Sequence, residues 1–264
     1  MVRVNKKKSS VQPDVKTSGI LREPALSVPY KSDIQNTEAI LRANGHELSL
    51  NLFHTELLSW GQDHMRIFPW RSTRNPYYIL IAEMMLRRTQ AKQVVPIYNQ
   101  FILRYPDPYS LMKAPAEEVI QILYPLGLAW RAPAFQQIAM VLVTSHAGNV
   151  PEQYETLLTL PGVGDYVASA VCCFAFNQAI PIIDTNTVRV AGRLFSIPTH
   201  AESRRRQPVR QLLKSLLDDQ NPRTYNYTML DFAASVCTAV SPVCEICPVS
   251  SQCVTGLARV NKSE

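Results

Sequence analysis

Four cysteines stand near the end of the chain in the spacing Cys237-x6-Cys244-x2-Cys247-x5-Cys253. Interrupted by Pro242 and Pro248, this stretch can wrap one centre with four thiolates turned inward. Tetrahedral zinc and a cubane iron–sulfur cluster both accept that donor set. A zinc ribbon usually joins two CxxC pairs, whereas here one CxxC lies between single cysteines at unequal distances, which suits the bulkier cluster. Zinc stays open on spacing alone. Cys172 and Cys173 sit in an apolar run and read as core residues.

A second constellation begins at Leu160-Pro161-Gly162-Val163-Gly164-Asp165-Tyr166. Proline followed by two glycines predicts a turn between helices, with both glycines free to take positive φ and present bare N–H groups to an anion. Gly162 and Gly164 are therefore candidate contacts to a DNA phosphate; an ordinary turn between core helices is the plainer alternative. Asp184 follows the next helix, in Ile182-Ile183-Asp184-Thr185-Asn186, where it suits either an N-cap or a catalytic charge. Glu83 is the only charge between Tyr77 and Leu86. Its apolar setting should raise its pKa and keep it protonated as a donor.

Helices have to position these groups. The spacing of apolar residues predicts a helix from about Glu47 through Trp60, and another over 77–86. Further helices are expected at 91–105, 116–123, 132–146, 152–158, 165–176, 187–195, 208–217 and 224–236. Short links containing proline or glycine separate several of them, and no alternating run is long enough for paired strands. The expected class is all-α. The first helix and the last ones should meet in a lobe apart from the central helices, with Asp184 between the two.

An apolar fraction of 46% with 18% charged residues describes a folded globular chain. The net charge of +6 is uneven: residues 1–33 hold seven of the 27 basic residues against three of the 21 acids, leaving twenty against eighteen in the remainder. Any basic surface on the body must be a local patch, and Lys6-Lys7-Lys8 reads as part of a flexible basic arm able to add salt-sensitive DNA affinity. No apolar run reaches membrane-spanning length and no apolar segment follows the charged N-terminus as in a secretory signal. A cytoplasmic, nucleoid-associated monomer is expected.

Together, Leu160-Pro-Gly-Val-Gly164, the Pro-Ile-Ile-Asp184-x-Asn setting and the cysteine spacing resemble the helix-hairpin-helix base-excision DNA glycosylases of the endonuclease III and adenine-glycosylase superfamily, over roughly residues 48–257. The resemblance implies a six-helix barrel beside a helical lobe holding a [4Fe–4S] cluster on Cys237, Cys244, Cys247 and Cys253. Its partner would be double-stranded DNA containing a mismatched or damaged base. The implied divisions are an N-terminal arm over 1–46, a helix at 47–72 packing with the cluster domain, the barrel over 73–186 and the cluster domain over 187–264.

Members that cleave the strand place a lysine where this chain has Tyr166, and a phenol cannot form their Schiff base, so the resemblance implies a monofunctional enzyme in which water attacks. Asp184 would stabilise the sugar cation and orient or deprotonate the water, with Asn186 and Tyr166 positioning it. Glu83 would act as the acid toward the departing base, and Trp70 and Arg71 would line the base pocket. Arg88 falls at the family's wedge into the base stack, and Gln90 lies beside it.

The run Tyr78-Ile-Leu-Ile-Ala-Glu-Met-Met-Leu-Arg-Arg-Thr89 and Leu126-Gly127-Leu128 look most like the thymine-DNA mismatch glycosylases. Thr89-Gln90 and Val94-Val-Pro-Ile-Tyr98 lean toward adenine glycosylases, which also carry an 8-oxoguanine-reading domain; this chain stops eleven residues after Cys253. The expected activity is release of thymine or uracil opposite guanine. The alternatives are adenine release opposite guanine or 8-oxoguanine, and a non-catalytic iron–sulfur DNA-binding protein.

Overall fold

A computed structural model describes residues 40–260. The expected basic arm lies outside them as far as residue 39. Its last part does not: Ile40–Ala43 (β1) and His46–Ser49 (β2) form an antiparallel hairpin. Asn44 and Gly45 join the strands with φ of 54° and 76°, the two positive values that a type I′ hairpin turn requires. Leu41 pairs with Leu48, and both are buried, while Arg42 and Glu47 pair outward in a 2.7 Å ion pair. This corrects the expectation of no paired strands and of a helix beginning near Glu47. Leu48 belongs to a strand, and Ser49 caps the helix by accepting from the Leu52 N–H.

Twelve α-helices follow among the described residues. Leu50–His64 (α1) is the first, and Pro76–Leu86 (α2) starts on an Asn75 cap with proline at its first position. Next come Ala91–Arg104 (α3), Pro108–Met112 (α4), Ala116–Leu123 (α5), Ala132–His146 (α6), Tyr154–Leu158 (α7) and Asp165–Phe176 (α8). The set ends with Thr185–Leu194 (α9), Gln207–Leu216 (α10), Pro222–Ser235 (α11) and Val254–Val260 (α12). The helix α4 stands where a link was expected; its Asp107 and Ser110 form a reciprocal capping box.

Two hydrophobic cores divide the molecule. One gathers residues 68–182 together with Tyr227, with α8 buried along nearly its whole length at the centre. The other joins Leu41, Leu48, Phe53 and Leu57 from the hairpin and α1 to residues of α9, α10 and α11 and to Val249 and Cys253. The hairpin is fastened onto this second lobe by Asn44 Nδ2, which donates to the carbonyls of Phe195 and Ser196 at 3.3 and 3.2 Å, and by a 2.7 Å bond between His46 Nε2 and the Gln252 carbonyl. No helix among the described residues is long and apolar enough to cross a membrane.

Candidate active site

The chain passes from the first core to the second at Ile182-Ile183-Asp184, and an open cleft of about 710 Å³ lies beside that crossing. The C-terminal end of α2, the N-terminal ends of α8 and α9, residues 204–205 and Arg210 of α10 line it. Five arginines, at 87, 88, 204, 205 and 210, face the cleft with Asp165 and Asp184. The net charge of +6 thus has a local concentration here, of the sign that attracts a phosphate backbone.

The turn before α8 is built as a support for that wall. The Val163 N–H donates to the Leu160 carbonyl at 3.1 Å, with Gly162 at φ 74° between them. Arg87 Nη1 donates to the Gly162 carbonyl at 2.8 Å and so ties the end of α2 to the turn. Gly164 departs from expectation, since it caps α8 with φ at −112°, a value open to any residue. A Cβ at Gly164 would meet nothing within 4 Å, so this helix terminus is open. Asp165 is an acid beside it, and Arg210 neutralises it through bonds of 2.8 and 3.1 Å, with the Tyr154 hydroxyl as a third partner.

Asp184 is the N-cap of α9, as one of its two expected roles required, and it also lines the cleft. Oδ1 accepts the N–H groups of Asn186 and Thr187, both at 2.8 Å, and Oδ2 accepts Asn186 Nδ2 at 2.7 Å. Asn186 is itself fixed by Arg189 Nη1, which donates to its Oδ1 at 3.0 Å. The rest of that guanidinium donates to the carbonyls of Cys237 and Ala233. Arg189 escaped the sequence reading, although its place three residues after Asn186 on one helix face was a usable signal.

Glu83 lies out of the open cleft, 2% exposed, with Oε2 unpartnered. Burial raises its carboxyl to about 7, against the opposing pull of a hydrogen bond with Tyr166 and the charge of Arg71. Tyr166 therefore stands between the two acids, lining the cleft beside Asp184 and bonded to Glu83. Burial, followed by the charges of Glu83 and Asp184, holds its phenol well above the usual range, so Tyr166 remains a proton donor.

Trp70 and Arg71, expected to line a base pocket, lie outside the lining of the open cleft. Trp70 is buried, stacked on Phe68 with ring centres 5.0 Å apart and set edge-on to Tyr98. Arg71 is held in a two-pronged pair with Asp231, at 2.6 and 2.9 Å, and lies over the Tyr227 ring. Arg66 bonds the same carboxylate. Burial alone would raise Asp231, yet the two arginines hold it below the usual carboxylate range. Tyr227, stacked on Phe174 at 3.9 Å, leaves its hydroxyl unpartnered near Glu83. Neither Asp231 nor Tyr227 was foreseen; their partners lie more than fifty residues away in sequence. The wedge candidate Arg88 sits on the cleft rim at φ 64°, a strained conformation typical of functional positions. Gln90 is exposed at the start of α3, outside the cleft lining.

Beyond α11, all four loop cysteines line one cavity together with Val190, Leu194, Phe232 and Val249. Four cysteines around one cavity are a donor set that a [4Fe–4S] cluster takes. Hydrogen bonds already point at the sulfurs: Arg193 Nη1 to Cys237 at 3.3 Å and the Gly256 N–H to Cys253 at 3.3 Å. Burial pushes the Cys247 thiol up to about 12, so this residue becomes a thiolate ligand only with a bound cation beside it. Cys172 and Cys173 are buried in α8, as expected of core residues.

Comparison with known proteins gives the same outline. The model of the HhH-GPD superfamily base excision DNA repair proteins matches residues 81–217, and that of the iron–sulfur binding domain of endonuclease III matches 237–253. A thymine/uracil-DNA glycosylase of Pyrobaculum aerophilum is 38% identical over 75% of this chain and 89% of its own length. An adenine DNA glycosylase of Mycolicibacterium smegmatis is 35% identical over 76% of this chain and 69% of its own. Among solved structures, a thermostable thymine-DNA glycosylase superposes with a TM-score of 0.75 at 33% identity, covering 79% of this chain and 97% of that one. A non-covalent endonuclease III–DNA complex gives 0.68 at 25% identity, covering 81% and 99%.

Proposed function

The chain belongs to the HhH-GPD superfamily of base excision DNA repair proteins and carries that superfamily's [4Fe–4S] cysteine motif; from this premise we propose that it is a monofunctional DNA glycosylase releasing thymine or uracil opposite guanine. The observation that carries the chemistry is Tyr166 standing between Asp184 and Glu83. A phenol in that place offers no amine to the sugar, and it leaves two acids in different environments for two different tasks.

A duplex hides its N-glycosidic bonds, so the nucleotide is drawn out of the stack, and a mismatched one leaves at lower cost. As the C1′–N bond breaks, its electron pair goes to the base and positive charge grows on the sugar. The Asp184 carboxylate faces that cation. Water adds its oxygen to C1′ and gives a proton to Asp184, while protonated Glu83 donates to the departing base. Asn186, pinned by Arg189, keeps Asp184 oriented. The cluster, held by Cys237, Cys244, Cys247 and Cys253, supplies a structural centre for the second lobe.

The names of the first relatives and of a solved neighbour support a pyrimidine. The adenine reading rests on the Mycolicibacterium relative and on Thr89-Gln90. Single-turnover reactions on duplexes with G·T, G·U, A·G and A·8-oxoguanine pairs decide between them. Faster release of adenine would overturn the thymine/uracil assignment.

A further inference from the structure

Residues 124–131 form an exposed shelf next to the arginine-lined rim. Gly127, at φ 67°, ends the turn Tyr124–Leu126, and a second turn, Ala129–Arg131, follows at once. Two large aromatics stand in solvent on this shelf, Tyr124 at 70% exposure and Trp130 at 73%. An indole is largely buried in most proteins, whereas the Trp130 ring lies in solvent and packs on a neighbouring guanidinium. The Arg131 guanidinium lies 4.6 Å from the ring centre, and Arg131 is buried and anchored through Nη1 to the Arg87 carbonyl at 3.1 Å. Arg87 in turn holds the Gly162 turn. Trp130 is thus fastened, through two arginines, to the elements that shape the cleft, while lying outside the cleft itself.

Charge on this edge is unbalanced. Arg87, Arg88 and Arg131 gather there, and among the described residues no carboxylate forms an ion pair with any of them. Exposed aromatic rings beside unneutralised guanidiniums match the chemistry of an unstacked base on a phosphate backbone. The cleft beside Asp184 receives the extruded nucleotide, so the rim at Arg88 faces the duplex that the nucleotide has left. Extrusion strands one base there without a pairing partner.

We propose that Trp130 is a specificity-determining contact whose indole stacks on the base left unpaired opposite the extruded nucleotide. The proposal rests on the DNA glycosylase reading above and extends it to the opposite strand. Phosphates attract the shelf without regard to sequence, while stacking on Trp130 distinguishes a duplex with a stranded base from an intact one.

The test uses the full-length holoprotein and a duplex carrying a tetrahydrofuran abasic analogue opposite 2-aminopurine, whose emission reports stacking. Trp130→Ala should weaken binding to this duplex by about 10-fold, the scale of one lost base–aromatic stack, whereas Trp130→Phe should stay within about twofold. Quenching of 2-aminopurine by the wild type should be lost in Trp130→Ala. Iron content and far-UV circular dichroism check that each variant folds. Unchanged affinity in Trp130→Ala would overturn the proposal and leave the shelf to some other partner. An equal loss on an intact duplex would also overturn it, by showing a general backbone contact. The abasic analogue needs no chemistry, so a wild type that releases no base would sink the substrate reading and leave this comparison intact.

Discussion

Glu83→Gln keeps the shape of a buried side chain and removes its ionisation. Burial raises the Glu83 carboxyl from 4.5 to about 7, so the folded protein holds a proton that the unfolded chain has already released. The stability term is therefore fully present below the unfolded value of 4.5. It is lost as pH rises to about 7 and is constant above that. At about 1.4 kcal/mol per pH unit, this interval is worth about 3 kcal/mol. Glutamine does not titrate, so the stability gap between variant and wild type should change by that amount between about pH 4 and pH 8, in favour of the variant at high pH. Urea unfolding of both proteins under anaerobic conditions, repeated at intervals of pH, reads the difference directly. Stability profiles that run parallel would refute the reasoning. Catalysis should show the opposite preference: excision by the wild type falls as pH passes about 7, because the donor has lost its proton, while Glu83→Gln is slow and flat across the same range.

Asp184→Asn should retain affinity for an abasic-analogue duplex and lose base release by roughly a hundredfold or more, and an unchanged single-turnover rate would remove Asp184 from the mechanism. Cys244→Ser should abolish the brown chromophore and weaken DNA binding, whereas Cys172→Ser, altering a core residue of the other lobe, should leave iron content unchanged. Borohydride should trap no covalent enzyme–DNA adduct with the wild type, and Tyr166→Lys should gain a weak trapped species because an amine then reaches the sugar; efficient trapping by the wild type would contradict the monofunctional reading.

Residues whose roles are local in sequence were readable from it. The cysteine spacing, the helical runs and the crossing at Asp184 depend on neighbours a few positions apart. The hairpin was missed because four-residue strands give only Leu41, Ala43 and Leu48 on the inward side, too few to show a period beside the apolar stripe of α1. Asn44-Gly45 was the stronger signal, since both residues take the positive φ that such turns need. The pairing of Asp231 with Arg66 and Arg71 spans some 160 residues, and nothing in either stretch names the other. Trp70 was expected in the base pocket from the resemblance alone, and its stack on Phe68 places it among the buried residues of the first core. Gly164 was expected to take a positive φ and instead has −112°, while the space around it stays open.

The second core takes its parts from both sides of the first in sequence. Leu41, Leu48, Phe53 and Leu57 precede the helices of the first lobe, and α9 through α12 with the cysteine loop follow them. During synthesis most of the first lobe can close once Ile182 leaves the ribosome, with Tyr227 joining later, but the hairpin and α1 must wait, apolar faces uncovered, until more than a hundred further residues have been made. His46 can find the Gln252 carbonyl only after that. Iron delivery thus acts only after Cys253 has been made, and a shortage of iron should leave behind chains whose hairpin and α1 are open to proteases.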